Sequence, residues 1–413
     1  MKTKRNSPVY SERALLLTLA GIQFSHVLDF MIMMPLGPIL MRELGIGTHE
    51  FGLLVASYSF SSALSGLFAS VFVDRFERKR LLLTMFGLFG VATLSCGLAL
   101  GYITLMIARG FAGAFGGVMG ALVQTIVGDT IPFARRARAS SIVSTAFSFS
   151  TVAGVPLSLW LANHFQWRAP FFFIVVLSIL FILIALRILP ELRHHISSEK
   201  RLHPFVEVFA VMRDFNHLRA LIFSALIIFA GFTVVPYLTV YAVNNLAISQ
   251  HDIPFVYFAG GAATLISARL IGHWADLKGK VEIYRVIAIL SLLPLFAVTQ
   301  LQSASLGLWL IFTTFFFVLI SGRFIPAMAI ITSAAQPKLR GTFMSLNATV
   351  QSLSMGLAAT LSGFIITQQN NGQIAGYQNV GYVAIGANLL GIWFVSRIVM
   401  HDSHIHAADV KPE

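Results

Sequence analysis

Asp29 is the only acid well inside a long apolar run of this chain, roughly midway between Arg13 and Arg42, and His26 precedes it by three residues on the same helical face. A carboxylate at the centre of a bilayer costs about 2.5 to 3.5 kcal/mol on insertion scales, so charges inside apolar runs are where function is expected. In a low-dielectric cavity such a group holds a proton at higher pH than it would in water. It can take that proton from one side and release it on the other as the cavity switches exposure. That is the chemistry of a proton-coupled carrier, with His26 as partner or co-carrier. The competing account is an Asp locked to a buried Arg for structure alone, with His26 a polar residue packed in the interior.

Three arginines interrupt other apolar runs. Arg109 stays charged at any relevant pH and is the natural counter-charge for Asp29, able to hold the acid until substrate competes. Arg323 lies in Ser321-Gly322-Arg323-Phe324-Ile325-Pro326, beside a proline that frees a backbone carbonyl, so it either lines a site or braces helices. Arg269 is close enough to a run end to snorkel. Tyr58, Gln124, Asn347 and Gln351 are candidates to face a cavity, the last two one helical turn apart; each alone is more often an inter-helix hydrogen bond than a ligand.

The elements that carry these residues follow from composition. The chain is 56% hydrophobic and only 11% charged, with a mean hydropathy of +0.79. An ordinary soluble domain has about 25% charged residues, so the solvent here is lipid and the element is a span of about 20 residues. Windows of that length predict spans near 14–40, 50–73, 81–101, 104–129, 139–162, 169–189, 220–243, 253–273, 282–301, 306–333, 342–367 and 380–400. The short connections leave no room for a soluble catalytic domain, and no enzyme is expected. Residues 1–13 form an N-terminal segment, 14–189 and 220–400 two six-helix bundles, 190–219 a polar linker and 401–413 a tail.

The net charge of +12 could suggest nucleic acid, but Lys and Arg crowd alternate loops. Lys2, Lys4, Arg5, Arg13, Arg75 to Arg80, Arg135 to Arg138, the linker, Lys278 to Arg285, Lys338 and Arg340 carry nearly all of them, while the opposite loops hold only Arg42 and Arg168. The positive-inside rule then places both termini and the linker in the cytoplasm and excludes a nucleic-acid partner. No cleavable signal peptide is evident in the first apolar stretch. The single Cys96 rules out an intramolecular disulfide.

The two halves repeat each other. Ser70-Val71-Phe72-Val73-Asp74-Arg75-Phe76-Glu77-Arg78-Lys79 matches Gly272-His273-Trp274-Ala275-Asp276-Leu277-Lys278-Gly279-Lys280. Pro132, Arg135 and Ser140 match Pro337, Arg340 and Ser345 at a similar offset. A small residue four before the Asp is read as permitting close helix approach, and the Asp as opening a tight basic turn. Repeated halves around a midplane site are a common design of alternating-access carriers.

On these residues the chain resembles the major facilitator superfamily over nearly its whole length. The family's loop signature is met by Gly272, Asp276, Gly279 and Lys280, whereas the first copy has Ser70 and Glu77 where Gly is usual. Arg109-Gly110-Phe111-Ala112-Gly113 is similar to the family's Arg-x-x-x-Gly signature. Gly154-Val155-Pro156-Leu157-Ser158, followed by Gln166-Trp167-Arg168, looks like the drug and sugar efflux branch of proton antiporters.

The resemblance implies an all-α membrane protein of twelve helices in two pseudo-symmetric bundles. It implies a coupling role for Arg109 and a charge cluster of Asp74, Arg78 and Asp129 that latches the halves; Ala334 stands at the position corresponding to Asp129, so that latch is asymmetric. It also implies a bacterial inner-membrane carrier, powered by the proton gradient without a cofactor and working as a monomer on a small organic molecule.

Gly110, Gly113, Gly116, Gly117 and Gly120 lack the strand and Lys-Ser/Thr pair of a phosphate loop and read as a helix-packing surface. Gly154 and Pro156 mark a kinked, closely packed fifth span. His401, His404 and His406 could bind a metal, but a solvated tail is the simpler account. The leading expectation is proton-driven efflux. Uptake by symport on the same fold is the first alternative, and a non-transporting membrane sensor the second.

Overall fold

The computed structural model describes residues 11–72, 76–190, 204–336 and 338–401. Among them, twelve helices or helix pairs are long and apolar enough to cross a membrane. In the first half these are α1 (Glu12–Ile32) with α2 (Gly37–Leu44), α3 (Thr48–Phe72), α4 (Arg78–Gly97), α5 (Tyr102–Thr130), α6 (Phe133–Phe149) with α7 (Val155–His164), and α8 (Ala169–Ile188). A short helix α9 (Pro204–Arg213) leads into the second half. There the spans are α10 (Phe215–Phe232) with α11 (Val235–Asn244), α12 (Ile253–Lys278), α13 (Lys280–Leu290) with α14 (Leu292–Gln300), α15 (Leu306–Gly322) with α16 (Phe324–Ala334), α17 (Arg340–Ile365) and α18 (Tyr377–Val395). Strands β1 (Thr367–Gln368) and β2 (Ile374–Ala375) form a small antiparallel hairpin between the last two spans.

Five spans break into two helices, and each break has proline beside it: Pro35 and Pro38, Pro156, Pro236, Pro294 and Pro326. Proline removes an amide donor and collides with the carbonyl four residues back, so a helix that contains one bends or restarts. In the fifth span the chain takes up the strain as a π-helical turn, Ser150–Gly154, whose Ser150 hydroxyl also donates to the Phe24 carbonyl of α1.

The linker differs from expectation. The polar segment predicted over 190–219 ends early, because Pro204–Arg213 is helical and α10 already starts at Phe215. The cause is Asp214, in extended conformation, whose Oδ1 accepts from the backbone N–H of Asn216 (2.7 Å) and of His217 (3.1 Å). Its other oxygen accepts from the Gln336 amide at 2.6 Å, and Asn216 donates to the Ala334 and Val399 carbonyls. Asp214 and Asn216 together thus tie the start of α10 to the ends of α16 and α18.

The halves meet along α3 against α17 and α7 against α12, with α2 lying on α11. Three hydrogen bonds join them at the end opposite the termini. Thr48 donates its hydroxyl to the Ile366 carbonyl (2.7 Å), Tyr237 donates to the Thr48 carbonyl (2.7 Å), and Asn163 donates to the Gln250 carbonyl (3.2 Å). Gly52 and Gly363 let α3 and α17 touch there: a Cβ on Gly363 would fall 2.8 Å from the Tyr237 hydroxyl and 3.4 Å from the Gly52 Cα. The distal face is therefore closed by a buried, close-packed crossing.

Two predictions follow from these contacts. Gly363→Ala wedges the distal seal, so spin labels on Gln166→Cys and Asn370→Cys, one in each half, will show a larger population of long separations; an unchanged distance distribution would refute the seal. Burial pushes the Asp214 carboxyl up, but the backbone donors of His217 and Asn216, the nearby His217 ring and the Gln336 amide outweigh it and hold the group below the ordinary carboxylate range. A depressed group stabilises the fold above its unfolded value and loses that contribution as pH falls through the folded one. Asp214→Ala should then cost about 1 kcal/mol at neutral pH, measured as thermal stability in detergent, with the gap from wild type closing below about pH 4.

Candidate functional site

Asp29 and Arg109 come together. Arg109 Nη1 donates to Asp29 Oδ2 at 2.6 Å and to the Asp29 main-chain carbonyl at 3.1 Å, with both side chains essentially without exposure. The other carboxylate oxygen accepts from the Thr93 hydroxyl at 3.4 Å. Three spans, α1, α4 and α5, are pinned at this point. The guanidinium carbon lies 4.6 Å from the centre of the Tyr58 ring, which covers the pair from α3. Tyr58 stacks on Phe30 at 5.3 Å, and Phe30 on Phe232 of the second half at 5.8 Å. An aromatic chain thus runs from the ion pair across the seam between the halves.

His26 shares the Asp29 face of α1, but its ring looks at α5. A Cβ on Gly120 would stand 3.4 Å from its Nε2, and one on Gly116 2.4 Å from the Tyr58 hydroxyl and 3.9 Å from the His26 ring. Gln124 follows one turn later on the same stripe of α5 and is exposed. His26 Nδ1, the Tyr58 hydroxyl and Gln23 Oε1 are buried atoms without a hydrogen-bond partner. Buried polar atoms are ordinarily satisfied, so His26 and Tyr58, which both face Gly116, mark a place where a ligand or water is wanted.

The glycine run, expected as one packing surface, divides in two. Cβ atoms on Gly113 and Gly117 would strike the backbone carbonyls of Tyr58 and Ser62, at 2.2 Å and 2.6 Å, so these two set the α3–α5 approach. Gly116 and Gly120 instead make room for side chains. A Cβ on Gly154 would fall 2.8 Å from a Leu28 methyl of α1, so the glycine permits a close approach beside the kink at Pro156.

Arg323 lies in the other half and does not join this group. It is fully buried, donating to Asn388 Oδ1 and, at 3.1 Å, to the Ile227 carbonyl. Asn388 in turn donates to the Ala288 carbonyl (2.9 Å) and to the Ser291 hydroxyl (3.1 Å). The two nodes correspond: Arg109 with Arg323, Thr93 with Ser291, and the Asp29 carbonyl with that of Ile227. The second half keeps the cation and replaces the acid by an apolar residue plus an amide.

Of the other candidates, Gln351 donates to the Ser224 hydroxyl at 3.0 Å and so braces α17 on α10, while Asn347 is buried with its Oδ1 unpartnered. Arg78 pairs with Asp129 at 3.2 Å, joining the start of α4 to the end of α5. Asp74, the remaining member of that expected cluster, lies outside the described residues, as does the His404 and His406 part of the tail. Among the described residues no group of three His, Cys, Asp or Glu could hold a metal.

In the second signature loop, Asp276 and Arg269 are exposed and Lys280 opens α13. Gly272 corrects an expectation, since its nearest neighbour would be an Ile325 methyl at 4.0 Å, which is ordinary contact and not a close approach. Gly279 is the glycine the backbone requires there, at φ +97. The first loop manages without one because Glu77 is extended and caps α4, accepting from the backbone N–H of Lys79 and of Arg80, each at 3.0 Å.

Thr93, Phe30 and Asn388 were not singled out from sequence. A Thr or Phe in an apolar span carries no local signal, but Asn388 is an amide deep in the last span and the rule that flagged Gln351 could have found it.

Comparison with known proteins bears on what this arrangement belongs to. The Major Facilitator Superfamily model matches residues 19–359, and again 222–407, the second match falling on the second half. YceJ, an uncharacterized MFS-type transporter of Bacillus subtilis (strain 168), is 24% identical over 374 residues, covering 88% of this chain and 92% of its own. A "Probable sugar efflux transporter" of Mannheimia succiniciproducens is 23% identical over 348 residues, 83% of each chain. Among solved structures, a bacterial homolog of the human lysosomal transporter Spinster, inward-facing and occupied, superposes with a TM-score of 0.73 at 15% identity over 95% of this chain and 98% of its own. The nucleoside transporter NupG gives 0.73 at 12% identity over 93% and 99%. With twelve spans in two corresponding halves and a family match across nearly all its residues, this chain belongs to the Major Facilitator Superfamily and is a multi-pass membrane transporter, not an enzyme.

Proposed function

We propose that the protein exports a small, uncharged organic molecule in exchange for protons, with Asp29 carrying the proton and Arg109 as its counter-charge. The observation that carries this reading is the Asp29–Arg109 pair itself, at 2.6 Å with no solvent exposure on either side chain. A buried pair is held by attraction between its charges, and a proton on the carboxylate removes that attraction at once. Arg109 would then keep neutral contacts, among them the Asp29 carbonyl and the Tyr58 ring, and α5 would be freer to shift against α1. Tyr58, Phe30 and Phe232 would pass that shift to the second half, biasing the seam between an open and a closed arrangement.

The cargo class follows from what is left over. The buried charges Asp29, Arg109 and Arg323 are already engaged by protein partners, so recognition falls to neutral atoms: Gln23 Oε1, His26 Nδ1, Tyr58 hydroxyl and Asn347 Oδ1. That set suits a molecule rich in hydroxyl groups, and the efflux relative supports both this class and the direction. The gradient supplies the energy with no cofactor, the termini face the cytoplasm, and one chain completes the cycle.

Reconstitution in proteoliposomes with an imposed pH gradient and a panel of labelled sugars and drugs tests this. Asp29→Asn should lower gradient-driven flux at least about tenfold, equivalent to about 1.4 kcal/mol, while substrate counterflow without a gradient persists. Retention of full gradient-driven transport by Asp29→Asn would end the proposal, and accumulation in the direction of proton entry would replace antiport by symport. Arg109→Met should destabilise the protein by about 3 to 5 kcal/mol because it strands a buried carboxylate, and Asp29→Asn added to it should restore part of that loss. Thermal denaturation of the single and double variants reads both effects.

A further inference from the structure

Helix α9 presents two unlike faces. Val211 is fully buried in the cluster that packs the terminal end of the second half, Val208 packs against the same cluster, and Glu207 accepts from the Thr342 hydroxyl of α17 at 2.6 Å. The opposite arc holds Val206, Phe209 and Met212, which are 54%, 67% and 47% exposed, with Arg213 exposed among them. Three large apolar side chains at a spacing of three on a ten-residue helix make a continuous row that water would not favour.

The row does not stop with α9. One residue later Phe215, 78% exposed, opens the spanning helix α10, and Arg219 and Ile222 follow on its exposed face at spacings of four and seven. The apolar arc of α9 is thus followed, after one extended residue, by the exposed face of a helix long and apolar enough to cross a membrane. Basic groups gather beside it: Arg219 donates to the Arg397 carbonyl at 3.3 Å, and the Arg397 guanidinium stacks 3.4 Å over the half-exposed Trp393 ring of α18. An apolar row flanked by arginines and an interfacial Trp fits a leaflet with anionic headgroups.

We propose that α9 lies in the membrane interface, with Val206, Phe209 and Met212 among the acyl chains and Arg213 and Arg219 holding anionic lipid headgroups. The consequence is mechanical. Glu207 ties α9 to α17, the helix that packs on α3 of the other half, and Asp214 ties it to α10. Lipid charge would then act directly on one of the two moving halves.

The test uses the buried native Cys96 as a silent background. Phe209→Cys and, separately, Met212→Cys carry an environment-sensitive fluorophore in nanodiscs of phosphatidylcholine, alone or with about 30% phosphatidylglycerol, and Ser303→Cys on an exposed distal loop is the aqueous reference. Brominated acyl chains should quench the α9 labels at least about twofold more than the reference, with iodide showing the reverse order. Phosphatidylglycerol should deepen the bromolipid quenching, and Arg213→Gln with Arg219→Gln should abolish that increment alone. Iodide quenching at 209 and 212 equal to the reference would overturn the interfacial placement. An increment unchanged in the double Arg variant would overturn the headgroup contact.

Discussion

A charge in the interior of a bilayer must find polar partners, and the first half of this protein is arranged around one ion pair. Removing a carboxylate and a guanidinium from water costs several kcal/mol for each ion, recovered only when the geometry is close and the remaining polar atoms find partners. Asp29 and Arg109 meet it through a 2.6 Å contact, the Asp29 carbonyl and the Thr93 hydroxyl, with Arg109 Nε alone left without a hydrogen-bond partner. Everything nearby serves the approach. Gly113 and Gly117 bring α5 onto the backbone of α3, which lays Tyr58 over the guanidinium, and the π-helical turn before Pro156 lets the fifth span bend around α1.

The second half solves the same problem without an acid. Arg323 occupies the place of Arg109 and binds the Ile227 carbonyl as Arg109 binds that of Asp29, while Asn388 supplies an oxygen that carries no charge. An amide does not titrate in the relevant pH range, whereas a carboxylate does. The repeat is thus symmetric in architecture and asymmetric in chemistry: a titratable group in one half and a fixed brace in the other.

Proline and glycine place the moving parts. The five broken spans each bend at proline, and the distal seal closes where Gly52 and Gly363 let α3 and α17 touch beside the Tyr237 hydroxyl. Bends and small residues together allow two rigid half-spans to pivot at a backbone contact, which side chains larger than hydrogen would hold apart.

The number of spans, their division into two sets of six and the pairing of Asp29 with Arg109 were legible in the residues alone. Hydropathy acts locally, and a buried acid stands out against an apolar run whatever the fold. The start of α10 was missed because a single capping Asp outweighs the polarity of its surroundings, and the role of Gly272 was overstated because a close approach depends on the neighbouring helix. Glu77 shows the same limit from the other side: a departure from the loop signature became intelligible only once its side chain was seen capping α4. Thr93, which donates to Asp29, and Asn388, which accepts from Arg323, come from other spans, and nothing along the chain pairs them with those charges. Sequence determined what had to be buried. Only the packing of twelve helices decided what each buried charge would touch, since that depends on distances between elements that no periodicity along one element records.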